Sequence, residues 1–284
     1  MRFDVTLVTH QGLPQGSEDD LLLAEALRAQ GCAVRCAVWN DAAVDWSASR
    51  LTLIRSTWDY HLMPAAWLAW LDQAAVQTRL VNPVTLMRWN TDKRYLGELA
   101  ARGVRCLPTV FVEAQERPAL QAIAAQQGWQ ELVLKPAVGA GASGARRLRL
   151  DQLAEAGEQH LSRLLSEGAA LVQPYMAVVE EAEERCLVYI AGQYSHAFAK
   201  PSFSGGAAVY AAVRLHEASE LEQAVAQQVL AAAPSVPLYA RVDLIPDEQG
   251  PLLMELELIE PDMVLRLKPA AAERLAEACL GLLD

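Results

Sequence analysis

Basic residues are scarce in this chain: 24 lysines and arginines stand against 35 aspartates and glutamates, a formal net charge of −11. A broad nucleic-acid or anionic-membrane surface needs a basic face to replace released counterions, so neither partner is expected. Cysteine is sparse too. Cys32, Cys36, Cys106, Cys186 and Cys279 are odd in number, lie in apolar segments and lack the paired spacing of a zinc site or disulfide framework. They read as reduced core residues. No apolar run approaches a membrane span, and the opening stretch after Arg2 enters a strand pattern without the apolar core of a signal peptide. The expected location is the cytoplasm. There is no internal repeat, no low-complexity tract and no convincing Ser-His-Asp or Cys-His arrangement for nucleophilic catalysis.

What is present is enough apolar material, 52% of 284 residues, for a sizeable core divided among two or three subdomains. The first segment alternates strand and helix: strand Phe3 to Thr9, helix Glu18 to Gln30, strands Ala33 to Trp39 and Leu51 to Arg55, helix Pro64 to Val76. That pattern predicts a small parallel α/β layer. Ligands of such sheets sit beyond the carboxyl ends of the strands, which makes His10, Asn40 and the run Arg55 to Tyr60 candidate substrate contacts. Trp58, Trp67, Trp70 and Trp89 read as core or interface.

The pattern resets around Val81-Asn82-Pro83, placing a boundary near residue 85, after which Asn90 to Lys93 is expected to cap a helix running to about Arg102. Lys93 would then lie at an exposed helix start. An α+β lobe follows: strand Thr109 to Val112, helix Pro118 to Gln127, strand Glu131 to Lys135, a glycine loop, strand Arg146 to Leu150, and a helix from Gln152 capped by Asp151. Strand Ala170 to Gln173 leads into a stiff Pro174-Tyr175 connector. Beyond it the chain reads as a second sheet of hairpins, turning at Ala191 to Gln193 and Pro246 to Gly250, covered by helices Ser219 to Ala232 and Ala270 to Leu283.

The glycine loop, Lys135-Pro-Ala-Val-Gly139-Ala-Gly141-Ala-Ser143-Gly144, contains the spacing of a dinucleotide fingerprint. Its context contradicts that reading, because the glycines run into an alternating strand and not a helix. A P-loop is excluded too, since no Gly-Lys-Ser/Thr closes the segment. A mobile strand-loop-strand flap fits: backbone N–H groups approach phosphate oxygens while Lys135 supplies a point charge. The alternative is a surface hairpin with a structural glycine turn.

The second constellation is Arg241-Val-Asp243, then Glu255-Leu-Glu257 after a five-residue turn. Alternation puts Arg241 and Asp243 on one strand face and Glu255 and Glu257 on one face of the next. An antiparallel register pairing Asp243 with Glu255 and Arg241 with Glu257 gathers all four charges. Three carboxylates on an apolar sheet repel unless a cation joins them, which points to Mg²⁺. The alternative is an exposed sheet face with a simple ion pair. His196 and Lys200 are expected to form a polar stripe with Tyr194.

In order and spacing, Arg55 to Tyr60, Arg88 to Lys93, Leu134-Lys-Pro136 with its flap, Val172 to Tyr175, Glu184-Arg185, Tyr194 to Lys200, Arg241-Val-Asp243 and Glu255 to Pro261 resemble the ATP-grasp superfamily across essentially the whole chain. More narrowly, they resemble the branch containing D-cycloserine synthetase and relatives of glutathione synthetase and ribosomal-protein glutamate ligase. The resemblance implies an α/β and α+β chain of the ATP-grasp fold. Residues 1–85 would form a Rossmann-like, substrate-side preATP-grasp domain, 86–173 a small lobe with Lys135 and the flap, and 174–284 a lobe with the metal carboxylates, the last two clamping ATP.

By the same resemblance, Lys93 and Lys135 would contact ATP phosphates, with Gly139, Gly141, Ser143 and Gly144 closing over them. Gln173, Pro174, Tyr175 and Met176 would meet adenine, and Glu180 and Glu184 the ribose edge. Asp243, Glu255 and Glu257 would hold Mg²⁺, or alternatively Mn²⁺. Arg241 would neutralise the transferred phosphoryl group, with Arg55, His196 and Lys200 near the acyl substrate. The implied activity is a ligase that activates an amino-acid-like carboxylate as an acyl-phosphate for attack by an amine, in a homodimer or larger assembly. A kinase-like phosphotransferase and a nucleotide-binding module without turnover are the alternatives. Three departures stand out: Glu257 occupies a position where many superfamily members have asparagine, Glu183 one where glycine is common, and Pro201 to Gly206 is shorter than the arginine-bearing loop of close relatives of cycloserine synthetase.

Overall fold

The computed structural model describes residues 2–201 and 212–283; most of the short Pro201 to Gly206 segment lies outside them. The alternating N-terminal pattern forms a four-stranded parallel sheet in the order β2-β1-β3-β4, from β1 (Phe3–Thr9), β2 (Val34–Val38), β3 (Ser49–Ser56) and β4 (Arg79–Val81). Helix α1 (Glu18–Ala29) starts at a reciprocal cap between Ser17 and Asp20, and α2 (Pro64–Ala75) starts on the proline that needs no N–H partner there. Trp67 and Trp70 from α2 pack with Trp39 and Trp46 in one buried cluster, the core role expected of them.

Two short elements follow that the pattern does not announce, β4 and α3 (Val84–Thr91), before α4 (Tyr95–Ala101). The expected cap at Asn90 is not formed. Asn90 lies inside α3, where its amide nitrogen donates to Leu256 O at 2.8 Å and its oxygen accepts from Leu258 N at 2.8 Å. A tertiary partner has taken the side chain that local rules assign to a helix start. Asp151 likewise caps nothing: it sits in a 3-10 turn, Leu150–Gln152, beside Arg149, and a π turn, Leu153–Gly157, precedes α6 (Glu158–Glu167).

The middle sheet is antiparallel, β5-β8-β6-β7, built from β5 (Val110–Val112), β6 (Glu131–Pro136), β7 (Arg146–Arg149) and β8 (Ala170–Pro174). Helices α5 (Leu120–Gln127) and α6 cover one face. After α7 (Val178–Ala182) comes a third sheet, β11-β10-β9-β12-β13, from β9 (Glu184–Ile190), β10 (Gln193–Lys200), β11 (Arg214–His216), β12 (Tyr239–Ile245) and β13 (Leu252–Glu257).

Alternation divides the third sheet into two faces. Leu187, Tyr189, Ala240, Val242 and Leu244 pack in one core with side chains from α3, α4 and α8 (Glu220–Ala232). Cys186, Val188, Ile190, Phe198 and Tyr239 share a second core with α1, α9 (Pro269–Leu280) and the N-terminal sheet. The hairpin register matches the expectation, Asp243 opposite Glu255 and Arg241 opposite Glu257. The polar stripe is not continuous, because a bulge shifts the register between Tyr194 and His196. All five cysteines are free, and among the described residues no helix is long and apolar enough to cross a membrane.

Polar side chains fasten the first sheet to the third. Asn82, fully buried at the end of β4, donates to Tyr239 O at 2.9 Å and Leu258 O at 2.8 Å and accepts from Leu238 N at 2.6 Å. Stranding buried peptide groups costs about 1–3 kcal/mol each before relaxation. Asn82→Ala is therefore expected to lower stability by roughly 3 kcal/mol, read as a fall in the urea midpoint at constant slope. A midpoint indistinguishable from the parent's would show that this side chain does not hold the junction.

Candidate active site

A cavity of about 380 Å³ opens between the middle and third sheets, with the ends of β3 and its following loop at one side. Lys135 enters it from β6, and beyond Pro136 the chain turns through Gly139, Ala140, Gly141 and Ser143 along the cavity wall. Gly141 holds φ of +58° and Gly144 φ of +73°, left-handed values that a side chain resists. A Cβ on Gly144 would also sit 3.2 Å from Pro136 Cδ. Gly144 thus shapes the flap without lining the cavity, and His160 Nε2 lies 2.9 Å from its carbonyl oxygen.

Lys93 is buried, contrary to the exposed helix start expected of it, and its Nζ donates to Gly139 O at 2.5 Å and pairs with Glu255 at 2.9 Å. Burial works against its charge, but the Glu255 carboxylate outweighs burial and holds its pKa above the usual lysine value. Lys135 differs. Burial lowers its pKa, and among the described residues no carboxylate pairs with it.

An apolar slot runs beside the connector, where Gln173, Pro174 and Met176 meet Val133, Ile245 and Met254. Tyr175 is not on that wall. Its N–H donates to Glu131 O at 2.9 Å, Arg147 sits 3.5 Å from its ring centroid, and its hydroxyl bonds to Glu180. Glu180 is drawn with it to the outer side of β7, where it also pairs with Arg147 at 2.7 Å. Both residues therefore stand apart from the cavity to which the motif assigns them. Glu183 has φ of +58° at ψ 166°, a region that glycine enters most easily, so the departure noted in the sequence carries backbone strain.

The charged end of the third sheet brings together Glu184, Lys200, Arg241, Asp243, Glu255 and Glu257. Asp243 is fully buried. Arg241 grips both its oxygens, at 2.8 Å through Nε and 2.7 Å through Nη2, and Lys200 adds a contact at 3.1 Å. Burial opposes its charge, yet Arg241 and Lys200 prevail and hold the carboxyl well below the usual range. Arg241 also pairs with Glu257, and Lys200 with Glu184 at 2.9 Å. Burial pushes Glu257 up to about 7 and Glu184 up to about 8, despite those cations.

The three carboxylates expected to form a metal set do not converge with one another. Among the described residues the trio whose ligand atoms lie within 4.8 Å is Glu184, Cys186 and Asp243. Lys93, Arg241 and Lys200 neutralise Glu255, Glu257 and Asp243 instead.

Arg55 and His196 are not on the cavity wall. Arg55 is buried against Asp20 at 3.3 Å and Pro261 O at 3.3 Å, while His196 Nε2 donates to Met263 O at 2.7 Å. Both tie the loop after β13 to its neighbours. Asn90, Glu260 and Asp262, not assigned to a site from sequence, also reach the cavity, and so does Trp58, which the sequence offers both as core and within the strand-end run. Trp58 and Tyr60 belong to the strand-end run flagged for substrate contact. Glu260 lies past the alternating strand, where period-two reasoning stops.

The Lys93–Glu255 pair yields a direct test. Lys93→Met should cost roughly 2 kcal/mol, because it leaves the half-buried Glu255 carboxylate without its cation, and adding Glu255→Gln should restore about 1–2 kcal/mol of that as a coupling energy. Strict additivity in a double-mutant cycle of denaturation midpoints would show that the pair is not coupled.

Comparison with known proteins places this geometry. The model of the N-terminal domain of D-cycloserine synthetase DcsG matches residues 5–82. The cycloserine biosynthesis protein DcsG of Streptomyces lavendulae is 35% identical over 273 residues, covering 90% of this chain and 91% of that protein. The crystal structure of D-cycloserine synthetase DcsG superposes with a TM-score of 0.91 at 33% identity, over 99% of both chains. A RimK-domain ATP-grasp protein from Sphaerobacter thermophilus (TM-score 0.73, 18% identity, 97% and 98% coverage) and an ATP-bound D-alanine–D-alanine ligase from Bacillus anthracis (0.67, 13%, 99% and 97%) share the fold.

Proposed function

Because the chain belongs to the ATP-grasp ligases of the D-cycloserine synthetase family, which form C–N bonds at the expense of ATP, we propose that it activates a small amino-acid-like carboxylate as an acyl-phosphate for attack by an amine. The observation that carries this reading is the division of the cavity: an unpaired lysine and a glycine flap on one wall, and a buried network of carboxylates and cations on the other. A polyanion fits between them, and no side-chain nucleophile is needed.

In this reading the adenine enters the slot at Gln173, Pro174 and Met176. Lys135, Lys93 and the backbone N–H groups of the flap take the phosphates, with Glu184 toward the ribose. A carboxylate oxygen of the substrate attacks the γ-phosphorus, the bond to the β,γ-bridging oxygen breaks, and ADP leaves. The amine nitrogen then attacks the acyl carbon, phosphate departs, and the amine proton passes to phosphate or water. Arg241, held in place by Asp243, balances charge on the phosphoryl group, and the closed flap keeps water from the intermediate.

The donor chemistry suits Mg²⁺: Glu255 and Glu257 offer hard carboxylate oxygens and are about one-quarter exposed, at 24% and 26%, where they line the cavity. They would hold the ion, which when bound supplies Lewis-acid neutralisation of the phosphates, while Asp243, enclosed by Arg241 and Lys200, orients Arg241 behind them. Cys186, a soft donor that is fully buried, does not suit that role. We also retain the divisions at 85 and 173, a homodimer and a cytoplasmic setting as parts of the proposal, with oligomeric state to be read by light scattering.

Incubation with ATP, Mg²⁺ and pooled amino acids should release ADP, and added hydroxylamine should yield a hydroxamate. A stable phosphorylated product unaffected by amines would replace the ligase reading with a kinase. Lys135→Met should lower kcat/KM by about 10²–10³ through lost transition-state charge stabilisation, while the melting temperature without ligand stays within a few degrees. Full activity in that variant would remove Lys135 from the phosphate site.

A further inference from the structure

The charges on the cavity wall do not all find partners. Lys93, Lys200 and Arg241 are tied to Glu255, Glu184 and Glu257, and Asp262 pairs with Arg266 at 3.3 Å. Among the described residues two lining charges remain without an ion pair: Lys135 and Glu260. Lys135 awaits an anion. Glu260 is the complementary case, a carboxylate in a residue only 9% exposed, on a cavity wall, with its own backbone N–H as its hydrogen-bond donor and with Lys93, already paired to Glu255, acting on it only from beyond ion-pair distance.

A buried carboxylate without a cation is costly unless a ligand supplies one. The surroundings of Glu260 indicate which ligand. Trp58 Nε1 donates to the Glu260 backbone oxygen at 3.2 Å and fixes that loop against the carboxyl end of β3. Tyr60 lines the same corner, and after burial Glu260 is the group that most strongly raises the pKa of its hydroxyl. A carboxylate that shares a cavity corner with two electron-rich rings suits an ammonium group, through ion pairing and cation–π attraction together. The corner also lies beyond the carboxyl ends of a parallel sheet, where small substrates of such layers bind. Burial and the nearby Glu257 push the free Glu260 carboxyl up to about 8, which an arriving cation would reverse.

We propose that Glu260 is a specificity-determining residue that receives the protonated amino group of the small-molecule substrate in the corner formed with Trp58 and Tyr60. The inference rests on the ligase reading and narrows its substrate class to carboxylates that carry a cationic nitrogen.

The test is calorimetric binding to the full chain with Mg²⁺ and a non-hydrolysable ATP analogue. The probes are the twenty common amino acids with D-serine and D-alanine, and for the best binder its analogue with hydrogen in place of the amino group. The parent should bind the amino acid at least 30-fold more tightly than the analogue, and Glu260→Gln should bring that ratio below about threefold while nucleotide affinity changes by less than threefold. The melting temperature without ligand should hold or rise in this variant, because a buried acid without an ion-pair partner is removed. A ratio preserved in Glu260→Gln, a parent that does not discriminate, or no amino acid bound at all would overturn the proposal. If amino acids bind as described but hydroxylamine traps no hydroxamate, the acyl-phosphate reading falls and the role of Glu260 stands.

Discussion

The grip of Arg241 on Asp243 is the constraint around which the rest of this molecule is arranged. A carboxylate with no exposure in the middle of a sheet is tolerable only because a guanidinium meets both its oxygens and Lys200 adds a further contact. That arrangement requires β12 to lie between β9, which brings Glu184, and β13, which brings Glu255 and Glu257. A one-residue slip of either neighbour would turn these charges into an apolar core. Register and charge network therefore specify each other.

The same face carries two jobs along its length. Where Val188, Ile190 and Tyr239 stand, it is apolar and packs the third sheet against the first; where Arg241 stands, backed by Asp243, it becomes the cavity wall. Asn82 and the Tyr239 hydroxyl, which lies within 3.0 Å of the carbonyls of Ile54, Val81 and Ile259, close the polar seam between these zones. The strand ends of the N-terminal layer are thereby carried to the edge of the cavity, and Trp58 and Tyr60 with them.

Much of this was legible in period-two and period-3.6 patterning. The three groups of strands follow from alternation and turn chemistry, the hairpin register is one that alternation allows, and the opposition of Lys135 to the Arg241–Asp243 face is what the family resemblance implies. What escaped was decided by partners distant in sequence. Asn90 looks like a cap and is a bridge to Leu256 and Leu258; Lys93 looks solvated and is paired to Glu255; His196 looks like part of an active stripe and holds the Met263 carbonyl. Glu260 follows a strand without belonging to its period, and its unpaired state is visible only once every neighbouring charge has been assigned.

The ligase account stands on transfer of an oxygen from the substrate to phosphate. An amino acid that supports ADP release, labelled with ¹⁸O in its carboxylate, should deliver one ¹⁸O atom per turnover to the released inorganic phosphate, seen as an isotope-shifted ³¹P resonance. Unlabelled phosphate formed alongside stoichiometric amide would contradict activation through an acyl-phosphate.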